Sequence, residues 1–359
     1  MNNNSTNKLA FLNPLKFVGA LMIAICLHYD EHLLSKLKLT NPLADSSLLM
    51  MLMQKSFIFV EMFFVISGLL FVLAYKDKLA GSLKLGAFIK KRYLRIFPLA
   101  IATSIYMYIF NLILYSRTGS LWVCGTTSIW ELLSNILYGG NSIFAGAKTL
   151  NGPIWYVQML MICYIIAALI SKNIQKSRFN FVYTLPIVLG IIMRATNLSL
   201  PFWCEDFSRA LIAFFVGIIL GLVIKRYDAL TLARKNIVRG FLIIEILLIL
   251  YIIARHSEWL SPITTYVALL LFPEVILLMY DVQWINKICQ TRFFTTLGDI
   301  SFDIYLLNFP IMITIHTLIV TGILHINVAT LPFMAVFTLI HIILSLLIKA
   351  LRVPHIPHP

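Results

Sequence analysis

Apolar runs of about twenty residues recur along this chain, and they constrain its fold more than any other feature. A helix needs roughly 20 apolar residues to cross a bilayer. Ten runs meet or approach that length, at about 11–31, 56–75, 96–115, 153–171, 180–197, 208–224, 238–254, 262–280, 301–322 and 329–349. Backbone polar groups in lipid must be satisfied within the element itself, which a helix does. The chain is 60% hydrophobic and 12% charged, where a soluble domain carries about 25% charged residues. The expected fold is all-α: a polytopic membrane helix bundle of about ten transmembrane helices. One integral-membrane domain spans 1–359, with short tails at 1–10 and 350–359.

The net charge of +14 does not form a nucleic-acid groove. Its lysines and arginines cluster in alternate loops. Lys76, Lys78, Lys84, Lys90, Lys91, Arg92 and Arg95 follow the second run, and Lys225, Arg226, Arg234, Lys235 and Arg239 follow the sixth. By the positive-inside rule both termini and the even loops are cytoplasmic. The five cysteines are scattered without a CxxC pair, so no metal or redox centre is expected. The longest outer segment, about 116–152, is rich in Gly and Asn and reads as loop.

Five stretches carry chemistry. In CLHYDEH, His28 falls near the outer third of the first helix. A neutral imidazole there can serve as a general base, or simply mark a wet helix end. His28 and His32 share a face, but no third metal ligand is identifiable, and no metal is expected. In FIFVEMFFVISGLLF, Glu61 is a lone carboxylate in an apolar span, where it needs a partner or a proton. Lying at the depth of His28, it can pair with that ring, as can Asp30. Ser67-Gly68 reads as a small-residue helix contact.

In AFIKKRYLRIFPLA, Arg92 and Arg95 share a face beside Lys90 and Lys91. They suit either a clamp on lipid headgroups or the phosphates of a cytosolic donor. Asp303 is expected to reach the cytoplasmic face, and Pro98 to restart the chain as the third helix. In NGPIWYVQML, Trp155 and Tyr156 open the fourth helix, as an interfacial belt or as a platform for a sugar. In LGDISFDIYLLNFPI, Ser301, Tyr305 and Asn308 form one polar stripe at i, i+4, i+7, either lining a channel or bonding between helices.

Taken in order, these stretches resemble the acyltransferase-3 family of membrane acyltransferases. Lys16 through His28 resembles its basic residue, apolar run and histidine. Phe63-Phe64-Val65-Ile66-Ser67-Gly68 resembles FFxxSG, and Arg92-Tyr93-Leu94-Arg95 with Pro98 resembles RxxR-proline. Pro153-Ile154-Trp155-Tyr156-Val157, FFVGIILG at 214–221 and ISFDIYLLNFPI at 300–311 are similar to its later motifs. The chain departs at three places. Lys16 stands twelve residues before His28, where the family usually has arginine eleven before, and Phe17 holds that arginine's place. Asn308 replaces a histidine, and Phe302 a tyrosine.

The resemblance implies transfer of an acetyl group from cytosolic acetyl-CoA to a sugar hydroxyl. The acceptor would be a lipid-linked bacterial surface glycan such as an O-antigen, and the setting the bacterial inner membrane. It implies His28 as catalytic base, oriented by Glu61 or Asp30. Arg92 and Arg95, with Lys16 and Lys91, would hold the donor. Trp155, Tyr156, Ser301, Tyr305 and Asn308 would face substrate. Succinyl transfer, or glycan transport without acyl transfer, are the alternatives.

Overall fold

The computed structural model describes residues 8–81, 83–138, 149–173, 179–196, 200–255 and 266–352. The described residues form helices joined by short loops, with one isolated β-bridge between Leu200 and Trp203. The membrane-length helices are α1 (Leu12–Leu37), α2 (Ser47–Ala80), α3 (Leu85–Thr118), α5 (Ile154–Asn173), α7 (Glu205–Asp228), α8 (Leu232–Arg255), α11 (Arg292–Val320) and α12 (Leu331–Leu351). Shorter helices are α4 (Ile129–Tyr138), α6 (Leu185–Thr196), α9 (Val267–Tyr280) and α10 (Gln283–Cys289).

Among the described residues eight helices are long and apolar enough to span, or nine if the bent pair α9 and α10 is one span, against ten expected runs. The fifth run yields the 12-residue α6, which is too short for a full crossing at 1.5 Å per residue. In the eighth, the chain bends by 93° between α9 and α10. Pro98 lies inside α3 rather than opening it. The carbonyl that its missing N–H would have engaged belongs to the exposed Leu94. The segment read as loop contains α4, an amphipathic helix with Trp130 and Leu137 exposed and Leu132 and Asn135 buried. The glycine-rich part of that segment, 139–148, lies outside the described residues.

The heart of the bundle is the pair α2 and α7, the most extensive contact between described elements. A Cβ on Gly68 would overlap the carbonyl of Phe214, and one on Gly217 would overlap that of Val65. Backbones this close are the usual result of small residues at a membrane helix interface. FFxxSG and FFVGIILG are therefore two sides of one contact, and Gly68 has the packing role its sequence context suggested. By contrast α8 and α12 show Phe241, Ile244, Leu247, Leu339, Ile343 and Leu347 to the outside. An apolar rim this large is untenable in water and ordinary against lipid.

Ion pairs gather the chain ends at one end of the bundle. Lys8 bonds Asp228 at 2.7 Å and reaches Asp281 at 3.3 Å. Burial acts to lower the Lys8 pKa, but the two carboxylates outweigh it and hold the ammonium above its ordinary value. Lys349 meets Asp299 at 2.9 Å, and Lys225 meets Asp77 at 3.8 Å. The first and last described residues therefore share the end that carries the turns after α2, α7 and α9. This is the basic end of the molecule.

Candidate active site

A cavity of about 500 Å³ runs inward from the basic end. Lys16, Arg92, Arg95 and Arg352 line it against a single carboxylate, Asp299. Its apolar and aromatic walls include Phe63, Tyr75, Tyr156, Tyr164 and Tyr305. The size falls within the usual range for small-molecule sites.

Arg92 is the most buried of the four cations. It is 8% exposed, with its guanidinium carbon 4.5 Å from the Tyr75 ring centroid and 4.7 Å from that of Tyr164. Phe88 completes the cage at 5.5 Å. Cation–π contacts of this kind contribute roughly 2 kcal/mol when desolvated. No carboxylate of the described residues forms an ion pair with Arg92, and its Nε has no hydrogen-bond partner. The cage holds the cation without neutralising it, so its charge stays available to an anion in the cavity. Arg95 is exposed and lines the same space. Lys91, expected beside them, is not among the lining residues.

The polar stripe on α11 links this cavity to His28. Ser301 and Tyr305 line the cavity. Three residues further on, Asn308 Nδ2 lies 2.6 Å from His28 Nδ1. Asn308 therefore faces the imidazole rather than the cavity. Ser67 and Tyr156 also line the cavity, with their oxygens 3.4 Å apart. Trp155 is half-buried one residue away and stacks on Arg209, whose guanidinium carbon lies 5.0 Å from its ring.

His28 occupies a stretch of α1, Met22–Leu34, that winds as a π-helix. Such i→i+5 winding is rare and usually lasts a single turn. The ring is half-buried and packs edge-on to Phe309 at 5.2 Å, with His32 at 5.3 Å. Tyr29, next in sequence, is fully buried and donates to the Val328 carbonyl. No group of three or more metal-ligating side chains occurs among the described residues.

Neither expected carboxylate partner meets this ring. Glu61 bonds Arg209 Nε at 2.6 Å. A carboxylate 1% exposed needs a full countercharge, which guanidinium supplies and neutral imidazole does not. Asp30 accepts from Asn41 Nδ2 at 2.8 Å, and Asn41 Oδ1 accepts from the Leu43 N–H. Asp30 thus ties down the loop after α1. Asp303 does not reach the surface: it is fully buried, and Arg352 comes in to it at 2.6 Å.

Asn151 was not singled out from the sequence, and its place follows from Pro310. Proline at 310 has no N–H for the Leu306 carbonyl four residues back. Asn151 Nδ2 donates to that carbonyl at 3.0 Å. Gly152 lies so close to Phe309 that a Cβ would strike the ring. The turn before α5 and the proline turn of α11 are thus locked together beside His28.

A helical bundle with a cationic cavity at one end and an embedded imidazole beyond it defines a multi-pass membrane protein with an internal site. The chain belongs to the acyltransferase-3 family: the family model described as an acyltransferase domain matches residues 9–350. No curated protein and no solved structure matches it. Family membership makes this a membrane acyltransferase that moves an acyl group from a donor to an acceptor.

Proposed function

We propose that the protein transfers an acetyl group from acetyl-CoA, entering at the basic end, to a sugar hydroxyl of a lipid-linked bacterial surface glycan. The basic end is then cytoplasmic, as the positive-inside rule expects, and the membrane is the bacterial inner membrane. The observation that carries this reading is the uncompensated charge of the cavity: of its four cations Arg352 is paired with Asp303, and Lys16, Arg92 and Arg95 form no ion pair among the described residues. An acyl-CoA brings phosphates that suit such an end, and a slender thioester arm that suits aromatic walls. The caged Arg92 and the exposed Arg95 grip the phosphates, and Lys16 stands further along α1.

Chemistry follows at the far end of the arm. His28 takes the proton of the acceptor hydroxyl as its oxygen attacks the thioester carbonyl. The tetrahedral intermediate collapses with cleavage of the C–S bond, and the proton passes to the departing thiolate. General base catalysis of this type contributes about 10²–10⁴ in rate. Trp155, half-buried and stacked on Arg209, is the ring assigned to the acceptor sugar.

The test uses purified full-length protein in lipid nanodiscs, radiolabelled acetyl-CoA and a lipid-linked oligosaccharide. Label should enter the glycan as a base-labile ester, and His28→Ala should stop it. Incorporation only from succinyl-CoA would replace the donor. Movement of unmodified glycan with no label incorporated would end the proposal.

A further inference from the structure

The His28–Asn308 contact has a feature that the reaction itself leaves unexplained. Asn308 is fully buried, one side of its amide faces His28 Nδ1, and its Oδ1 has no hydrogen-bond partner. A buried carbonyl oxygen without a hydrogen bond has lost its hydration and gained nothing in return. The groups facing His28 are His32 from its own helix, and Asn308 and Phe309 from α11. Of these His32 is the titratable one. The surroundings thus offer the ring a neutral amide in place of a carboxylate.

A neutral imidazole carries one N–H. With Nδ2 of the amide donating to Nδ1, that proton sits on Nε2, and Nε2 has no lone pair to act as a base. Turning the amide by half a rotation presents Oδ1 instead. The ring proton then sits on Nδ1, bonded to Oδ1, and Nε2 is free to take a proton. Once it does, both nitrogens are donors and only the amide oxygen can serve Nδ1–H. An amide can do both without placing a net charge in hydrocarbon, where an uncompensated carboxylate would be costly.

The surroundings make such a seat rigid. Asn151 holds the Leu306 carbonyl that Pro310 leaves free. Phe309 is wedged between Gly152 and the two imidazoles, with His32 at 5.0 Å. The α11 backbone at 306–310 cannot drift without breaking these contacts, so the motion left to Asn308 is rotation of its amide.

We infer that Asn308 is a positioning residue that sets the tautomer of His28, turning its carbonyl oxygen to Nδ1–H as the ring accepts the acceptor's proton. The inference rests on the reading of His28 as the base. It assigns to an uncharged side chain the orienting task expected of Glu61 or Asp30.

Two measurements on full-length protein in nanodiscs test it. In kinetics, Asn308→Leu, which keeps the volume and removes the hydrogen bond, should lower kcat by about 10–100-fold, with the donor KM within about twofold. Asn308→Asp should recover part of that loss and move the acid limb of the pH profile upward, because a carboxylate favours the imidazolium. In ¹⁵N-histidine spectra, His28 is assigned by the signals lost in His28→Gln. Wild type should show one dominant tautomer, and Asn308→Leu a mixture. If Asn308→Leu fails to fold, Asn308→Ala serves the same comparison. Wild-type kcat and pH profile in a folded Asn308→Leu, or unchanged His28 nitrogen shifts, would overturn the assignment. A tautomer change in protein that transfers no acyl group would instead leave Asn308 as the setter of the ring and refute the acyl-transfer reading of His28.

Discussion

At the basic end of the bundle, Lys16, Arg92 and Arg95 face a cavity and form no ion pair among the described residues, while Arg352 beside them is paired with Asp303. Among the described residues the His28 ring faces His32, Asn308 and Phe309, while Glu61 is neutralised by Arg209 and Asp30 bonds the amide of Asn41. One region keeps Arg92 unneutralised in an aromatic cage. The other gives its histidine a neutral amide partner. The difference separates binding from chemistry. An excess of positive charge is useful where an anionic donor must be attracted, and harmful beside a base that must stay unprotonated until it acts.

Substitutions that move one region and spare the other test this division, and the largest effect belongs to the imidazole. His28→Gln should lower kcat by about 10³-fold with the donor KM unchanged. A rise in KM of similar size would show that the ring binds donor, and the division would collapse. Arg209→Leu comes next. It leaves Glu61 buried and unpaired, a loss of about 3–5 kcal/mol, to be read as a lowered Tm in nanodiscs. The double variant Glu61→Leu with Arg209→Leu should recover most of it. No recovery would mean that the pair does more than neutralise itself.

Arg92→Leu should raise the donor KM by roughly tenfold, the scale of one charge-assisted hydrogen bond, and leave kcat within about twofold. A fall in kcat with unchanged KM would place Arg92 on the chemical side. Arg95→Gln is the mildest. Its side chain is exposed, so a rise of about two- to threefold in KM, vanishing at high salt, is expected. Titration of KM against sodium chloride in the two arginine variants sharpens the contrast between caged and solvated cation.

The fold class was legible because lipid leaves few alternatives to helices, and the signal for each crossing is one long run. The motif glycines were legible as contacts for a similar reason: in Ser67-Gly68 the small side chains announce a close approach. The Ser301–Tyr305–Asn308 stripe could be seen from spacing alone, and it does lead from the cavity to His28. Partners were harder. Glu61 reads as a lone charge needing company, and Arg209, inside the expected run at 208–224, carries the matching signal. Pairing two intramembrane charges of opposite sign at similar depth would have found it. Asn151 could be reached only by asking which carbonyl Pro310 orphans and what satisfies it. Arg352 lay in what reads as a tail, and nothing local says that it folds back to Asp303.

The winding of α1 bears on the extra residue between Lys16 and His28. In uniform α-helix, twelve steps of 100° overshoot three full turns by about 120°. Here six of those steps fall in the π-helical run, where each advances by only about 82°, and the total comes within about 15° of three turns. Lysine and histidine are thereby returned to the same side of the rod, in phase despite the added residue. Removing one residue from Met22–Leu27 and letting the run relax to ordinary winding would keep them in phase too. The wide turns work as a local gear change, which lets this chain carry one more residue between cation and base without rotating either out of place.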